Sequence, residues 1–124
     1  SKLRMLYRIS SLNKLGIKVG FSSDAPVTYP NALGSIYSAV TRRTLKGNVV
    51  NDDETISAMD SMRLLTNVNA GICGVGEQKG QIKAGYDADL VLLDRNPITS
   101  DIEDILKTSV QLTIRRGEIL YNNL

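Results

Sequence analysis

Apolar residues recur every three positions along the start of the chain. Leucine or isoleucine occupies positions 3, 6, 9, 12 and 15, basic residues lie among them, and Gly16 follows. This spacing predicts an amphipathic helix over 3–15 that ends at the glycine. The pattern then alternates, with Ile17, Val19 and Phe21 apolar, which predicts a strand. A helix, a glycine and a short strand in succession indicate an α/β fold with a parallel sheet or barrel.

More helices are predicted after this first unit. Two prolines prevent regular structure over residues 23–30. Asn31 is a favourable N-cap for a helix over 32–44. Asp52 or Asp53 is predicted to cap the next helix, in which apolar residues again recur with helical spacing.

Short apolar segments punctuated by glycine replace the helical pattern in the second half. The predicted elements are a brief strand at 81–82, a strand at 90–93, a short acidic helix at 101–107 and a hairpin over 110–121. The hairpin turns at Arg115-Arg116-Gly117-Glu118. We place the boundary near residue 75, which gives an N-terminal part of residues 1–75 and a C-terminal part of residues 76–124.

Composition changes this picture little. The chain has 124 residues, of which 42% are hydrophobic and 23% charged, as is usual for one globular domain. No apolar run approaches the length that spans a bilayer and no signal peptide is visible, so no membrane partner is expected. The single cysteine, Cys73, cannot form an internal disulfide and is predicted to lie in or near the core. A reducing cytoplasm is therefore the expected location.

The net charge of +2 is unevenly distributed. Residues 1–46 contain eight Lys or Arg and one acidic residue, whereas residues 47–124 contain seven Lys or Arg and twelve acidic residues. Such asymmetry can mark a nucleic-acid-binding face. Here the basic residues are spaced through apolar patterns with almost no aromatic residue beside them. Solvated element faces explain them better, and no nucleic-acid partner is expected.

The segment that ends at Asp24 is the sharpest candidate for chemistry. Side chains alternate across a strand, so Gly20, Ser22 and Asp24 would share the face opposite the apolar one. Asp24 would then end the strand, where barrel enzymes keep their catalytic residues. An ordinary role in capping the following loop explains the spacing equally well. The chain has no histidine, so it offers no imidazole base or imidazole metal ligand.

Two other polar pairs favour structural roles. Asp87 and Asp89 are two residues apart, but a divalent-ion loop needs more oxygen ligands, and a tight turn before a strand explains them better. Arg42 and Arg43 are better explained as basic residues at a helix C-terminus, where they interact with the helix dipole, than as an anion-binding site.

Three segments resemble the amidohydrolase superfamily, especially the branch called amidohydrolase family 3. Residues 16–27, GIKVGFSSDAPV, are similar to the last barrel strand and its catalytic loop. Residues 35–42 and 64–70 resemble the helices that close the barrel. Residues 79–94, KGQIKAGYDADLVLLD, resemble the strand with which these enzymes build a small β-sandwich from their two chain ends.

The resemblance implies the architecture. Residues 1–75 would form the last strand and closing helices of a (β/α)8 metal-dependent-hydrolase barrel, and residues 76–124 part of a flanking β-sandwich. The family's metal ligands are mostly histidines from earlier strands, which this chain lacks. A divalent metal ion, expected to be zinc, is therefore implied for the parent protein, with no tight binding to this chain alone. The start at Ser1, inside an amphipathic segment, suggests a piece of a longer protein.

The resemblance also assigns roles to single residues. Asp24 corresponds to the family's catalytic aspartate, which contacts the metal, the attacking water or both. Thr28, Tyr29 and Asn31 lie on the following loop and are predicted, from position alone, to line the pocket for a small-molecule substrate. The predicted function is hydrolysis of a non-peptide carbon–nitrogen bond by the parent protein, with this chain inactive by itself. The alternative is a non-catalytic module that self-associates into a homo-oligomer through exposed strand edges.

Overall fold

The computed structural model describes residues 2–44 and 46–124. At Leu3 it describes the backbone but not the side chain. The predictions that concern the start at Ser1 and the apolar side chain at position 3 lie outside the described residues. Short helices precede a small sheet. The helices are a 3-10 helix at Lys2–Met5, α1 at Ile9–Lys14, α2 at Ala32–Thr41, a 3-10 helix at Asp52–Glu54, α3 at Ala58–Leu65 and α4 at Asn67–Ile72. The later elements are β1 at Leu90–Leu93, a 3-10 helix at Ile102–Lys107, β2 at Val110–Arg115 and β3 at Glu118–Asn122.

The first predicted unit differs from the structure. The helix predicted over 3–15 is divided, because Tyr7 adopts a positive φ of 49° between Met5 and α1. Gly16, with φ of 74°, ends α1 as predicted. The strand predicted over Ile17–Phe21 is not formed within the described residues, which provide no pairing partner for it. Alternation fixes which side chains share a face, but a strand also needs a neighbour for its N–H and C=O groups.

Side-chain caps define the next helices. The Oδ1 atom of Asn31 accepts a hydrogen bond from the Gly34 amide at 3.1 Å, which confirms Asn31 as the N-cap of α2. This helix ends at Thr41, earlier than predicted, because Arg42 enters the left-handed region at φ 55°. The cap predicted at Asp52 or Asp53 for α3 is wrong. Ser57 caps that helix, and its Oγ accepts a hydrogen bond from the Asp60 amide at 3.0 Å.

A small core joins the helices to the second half of the chain. Ile36 of α2 and Ile105 of the third 3-10 helix are each only 1% exposed, and these two elements pack together. The helix α3 packs against both α2 and α4 and contributes Leu64 to the core. Cys73 is exposed, so the prediction of a core thiol is wrong. No helix in the part of the chain that the structure describes is long and apolar enough to cross a membrane.

The C-terminal sheet is antiparallel, in the order β1-β2-β3. Leu90 pairs with Ile114 between β1 and β2, and Arg115 pairs with Glu118 at the hairpin end of β2 and β3. The strand at 90–93 and the hairpin are therefore confirmed. Arg116 and Gly117 form the two-residue turn with φ values of 49° and 84°, the positive values that match the twist of paired strands. The brief strand predicted at 81–82 is absent from the described residues, where Ile82 is exposed.

Candidate active site around Asp24

Asp24 lies in a tight bend directly after the segment 17–23. Its φ is 56°, a left-handed conformation that aspartate adopts more readily than most residues. Its carbonyl accepts a hydrogen bond from the Val27 amide at 2.8 Å, and its own amide donates to the Ser22 Oγ at 3.2 Å. The Thr28 hydroxyl donates a hydrogen bond to the Ser23 carbonyl. Backbone and hydroxyl groups therefore hold the bend, and the carboxylate of Asp24 is not used to build it.

The Asp24 side chain is exposed and offers two carboxylate oxygens as acceptors. Among the described residues, no group of three or more His, Cys, Asp or Glu side chains lies close enough to hold a metal ion. A catalytic zinc ion needs about three protein ligands. The described residues therefore do not by themselves form such a metal site.

The residues predicted to line a substrate pocket lie on the same loop as Asp24. Tyr29 is 85% exposed, so its phenol is open to a ligand. The Thr28 hydroxyl is engaged by the loop, and the Asn31 side chain caps α2. The structure thus gives Thr28 a role in the loop that the sequence did not predict, and it confirms the capping role that the sequence predicted for Asn31.

One side chain from a distant helix contacts the segment that leads to Asp24. The Nδ2 atom of Asn69, on α4, donates a hydrogen bond to the Phe21 carbonyl at 2.8 Å. A Cβ atom on Gly20 would lie 1.7 Å from the Asn69 Oδ1 atom, so a larger residue would have to displace the Asn69 side chain. Sequence patterns missed Asn69, because a polar residue on a short helix carries no sign of which loop it contacts.

An open cleft of about 370 Å³ lies between α1 and the same segment. Tyr7, Arg8, Ile9 and Leu12 line one side, and residues 19–22 line the other. The cleft therefore reaches Ser22, two residues before Asp24.

A separate ionic cluster connects the loop before β1 with the β2–β3 turn. The Nζ atom of Lys79 lies 2.6 Å from the Asp87 carboxylate and 2.5 Å from that of Asp89. The Arg116 amide also donates a hydrogen bond to Asp89 at 2.9 Å. The Lys79 ammonium lowers the pKa of both carboxyl groups from their usual values, chiefly through its hydrogen bonds to them. This cluster fits the structural role predicted for the two aspartates, and sequence spacing did not identify Lys79 as their partner.

Two buried charged side chains also bind backbone groups. The Arg42 guanidinium donates hydrogen bonds to the carbonyls of Val50 and Leu6, each at 3.1 Å. The Glu54 carboxylate accepts hydrogen bonds from the amide, at 2.8 Å, and the hydroxyl of Ser11. The hydroxyl is the main reason why the pKa of Glu54 is lowered, while burial opposes it. Arg42 ends α2, consistent with the structural role predicted for the arginine pair, and Glu54 satisfies the start of α1.

The amidohydrolase family profile matches residues 1–121, and the chain therefore belongs to the amidohydrolase family. Over 116 residues, 94% of the chain, it is 29% identical to an N-substituted formamide deformylase of Arthrobacter pascens. Over 99 residues, 77% of the chain, it is 32% identical to a 5-methylthioadenosine/S-adenosylhomocysteine deaminase of Dictyoglomus thermophilum. These alignments cover 21% and 23% of the two relatives, so the chain spans about a fifth of the length of these curated relatives.

A solved structure supports the same assignment. An uncharacterized metal-dependent hydrolase from Pyrococcus horikoshii superposes with a TM-score of 0.70 and 25% identity, over 82% of this chain and 21% of that protein. The resemblance to the amidohydrolase superfamily is therefore confirmed by both sequence and fold.

Proposed function

We propose that the protein carrying this chain is a metal-dependent hydrolase that cleaves a non-peptide carbon–nitrogen bond in a small molecule. The observation that carries the proposal is the family match over residues 1–121. The names of the two relatives, a formamide deformylase and a deaminase, both denote reactions that break a carbon–nitrogen bond. Family membership alone leaves the chemistry open, because one fold hosts many reactions.

The proposed architecture assigns residues 1–75 to the end of a (β/α)8 barrel and residues 76–124 to a flanking β-sandwich. The segment 17–23 would be the last barrel strand, with its pairing partners in residues outside this chain. The absence of any pairing partner among the described residues agrees with that placement, and so does the bend at Asp24, since barrel enzymes place catalytic groups directly after a strand.

Asp24 is the proposed catalytic residue. A divalent metal ion, zinc in our proposal, would supply a water whose pKa is lowered towards about 7 and a positive charge beside the scissile carbonyl. Most of its ligands would come from residues outside this chain, with the Asp24 carboxylate as one contact. That carboxylate would accept a proton from the attacking water and return it to the leaving amine.

The loop after Asp24 is the proposed substrate-binding element. Tyr29 is the strongest of the three candidates, because its phenol is exposed and can donate or accept a hydrogen bond. Thr28 and Asn31 would act mainly by holding the loop, since their side chains already bind it or cap α2.

The decisive experiment compares the complete protein, loaded with zinc, with its Asp24→Asn variant on a panel of N-substituted formamides. Asparagine keeps the shape and tolerates the positive φ but cannot accept the proton. We expect kcat to fall by about 100- to 10,000-fold, with an unchanged Tm. Asp101→Asn is the matched control, because Asp101 is exposed and makes no capping hydrogen bond. Equal activity of Asp24→Asn and wild type would contradict the role of Asp24.

The isolated 124-residue chain is proposed to be inactive, because it contributes one carboxylate to the site. The same assay on this polypeptide, with zinc added, should give no turnover above background. Turnover with bound zinc would show that the chain is sufficient by itself.

Self-association is the second candidate function, and the exposed sheet favours it. Val91 of β1 and Leu120 of β3 are 56% and 58% exposed, and both strands are edge strands of the sheet within the described residues. Unpaired edges and uncovered apolar faces pair readily with other chains. Sedimentation of the isolated chain over a range of concentrations tests this proposal, and a monomer at every concentration would contradict it.

A further inference from the structure

The Asn69 side chain holds the segment that leads to Asp24 by a hydrogen bond. Within the part of the chain that the structure describes, residues 18–23 take no part in a sheet, and the Phe21 carbonyl accepts its hydrogen bond from Asn69. Both partners are partly buried and are 48 residues apart in sequence. Phe21 precedes Asp24 by three residues, so the direction of its carbonyl also sets the direction in which the bend begins.

We propose that Asn69 is a positioning residue that orients the Asp24 carboxylate through the Phe21 carbonyl. A carboxamide suits this task, because its NH₂ group donates to the carbonyl while its oxygen faces the other way. That oxygen occupies the space beside Gly20, where a Cβ atom would lie only 1.7 Å away. The close approach of Gly20 and the hydrogen bond to Phe21 therefore depend on each other.

The contact also connects the site to a packed element. Ala70, the next residue of α4, is buried, and α4 packs on α3. The side chain of Ile72, also on α4, would lie 3.2 Å from a Cβ atom on Gly20. A helix held in this way can fix a loop more firmly than the hydrogen bonds within the bend, which are all local to residues 22–28.

The inference rests on the proposed function, and its test uses the complete zinc-loaded protein with the same formamide panel. In Asn69→Ala we expect kcat to fall by about 10- to 100-fold, the usual effect of losing a group that orients a catalytic ligand. KM should change by less than about twofold, because Asn69 is not proposed to bind the substrate in its ground state. Asn67→Ala is the matched control, since Asn67 lies on the same helix and its buried side-chain oxygen has no hydrogen-bond partner among the described residues. Equal kcat values for wild type and Asn69→Ala, or a loss confined to Tm, would overturn the inference.

A double-mutant cycle separates positioning from general damage. Gly20→Ala should lower kcat as Asn69→Ala does, because the added methyl group displaces the Asn69 side chain. In an Asn69→Ala background the same Gly20→Ala change should have a much smaller effect, since the clash with Asn69 has gone and only the 3.2 Å contact with Ile72 remains. Such non-additivity is the expected mark of two residues in contact. Independent, additive losses would contradict the mutual dependence of the two residues.

A measurement that needs no turnover keeps the two proposals distinguishable. Amide hydrogen exchange should become faster by about tenfold in residues 17–28 of Asn69→Ala, with no change in β2 or β3. If wild type hydrolyses none of the formamides, the proposed function fails on these substrates. The role of Asn69 can still be decided by measuring amide hydrogen exchange in the single and double variants of the cycle. Unchanged exchange in residues 17–28 would overturn it.

Discussion

The helical part and the C-terminal sheet satisfy their backbone groups in different ways. In the sheet, neighbouring strands pair with one another, with one register shift in each pair, and the hairpin turn is only two residues long. In the helical part, several backbone groups outside regular pairing are bound by single side chains, most of them from distant positions in the sequence. Asn69 binds the Phe21 carbonyl, Arg42 binds the Leu6 and Val50 carbonyls, and Glu54 binds the Ser11 amide.

This difference explains where sequence patterns succeed. The hairpin ladder between β2 and β3 follows from local alternation and a turn signal, both of which lie within a few residues. A side chain that binds a distant carbonyl has no local pattern, because the partner is fixed only when helices pack. The segment before Asp24 belongs to the second kind, and the candidate active site therefore depends on tertiary contacts.

The largest expected effect on stability is at the contact between the two parts. Ile105→Ala would remove a side chain that is 1% exposed from the packing of the third 3-10 helix on α2. We expect a loss of about 2–5 kcal/mol in the free energy of unfolding, measured by urea denaturation. The neighbouring Leu106 is 49% exposed, so Leu106→Ala should cost much less. Equal losses would show that this contact does not join the parts.

A smaller effect is expected from the side-chain contacts of the helical part. The pKa of Glu54 is lowered, mainly by the hydroxyl of Ser11. A lowered folded-state pKa stabilises the protein above the unfolded pKa near 4.3, and the contribution is lost as pH falls through the folded value. Glu54→Gln should cost about 1.5–3 kcal/mol at pH 7 and weaken the acid dependence of unfolding.

Urea denaturation of Glu54→Gln and wild type between pH 3 and pH 7 checks this expectation. Glu103→Gln is the control, because Glu103 is exposed and its carboxylate lies at least 3.4 Å from the Tyr37 hydroxyl. An acid dependence identical to that of wild type in Glu54→Gln would refute the role of this buried carboxylate.

The cap of α2 should have an effect of about 1 kcal/mol. Asn31→Ala removes the acceptor for the Gly34 amide, and loss of an N-cap side chain typically costs about that much. Asn31→Asp keeps an acceptor oxygen and should retain most of the stability. Thermal denaturation and KM for the formamide panel, measured together, separate capping from substrate binding. A raised KM in Asn31→Asp with unchanged Tm would favour direct contact with substrate.

The smallest effect is expected in the ionic cluster beside the sheet. Lys79→Met leaves Asp87 and Asp89 without their shared ammonium. Their lowered pKa values stabilise the fold above the unfolded pKa near 3.9, and that contribution is lost as pH falls through the folded values. The variant should therefore have a slightly lower Tm at pH 7 and a flatter decline of Tm in acid. Lys83→Met is the control, since the Lys83 ammonium lies over the Tyr86 ring. An equal change in Tm for both variants would contradict the pairing of Lys79 with Asp87 and Asp89.

The predictions failed where pairing or capping depended on a partner outside the local pattern. Alternation at Ile17, Val19 and Phe21 predicted a strand, but the described residues contain no strand to pair with it. Helical spacing before α3 was detected, yet Ser57 rather than Asp52 or Asp53 provides the cap, because the backbone enters the helix later than the first acidic residues suggest. Cys73 was predicted to be buried from residue type alone, and the turn at the end of α4 leaves it exposed.

The sequence by itself determined the family, the N-cap at Asn31, the strand at 90–93, the hairpin around Arg116 and Gly117, and the candidate role of Asp24. These features depend on neighbours within a few residues or on motifs in a fixed order. Only the tertiary structure placed Asn69 against Phe21 and showed that a Cβ atom at residue 20 would meet the Asn69 side chain. Such contacts join groups dozens of residues apart, and their energy depends on distances of a few tenths of an ångström, which helix packing sets and which no local pattern encodes.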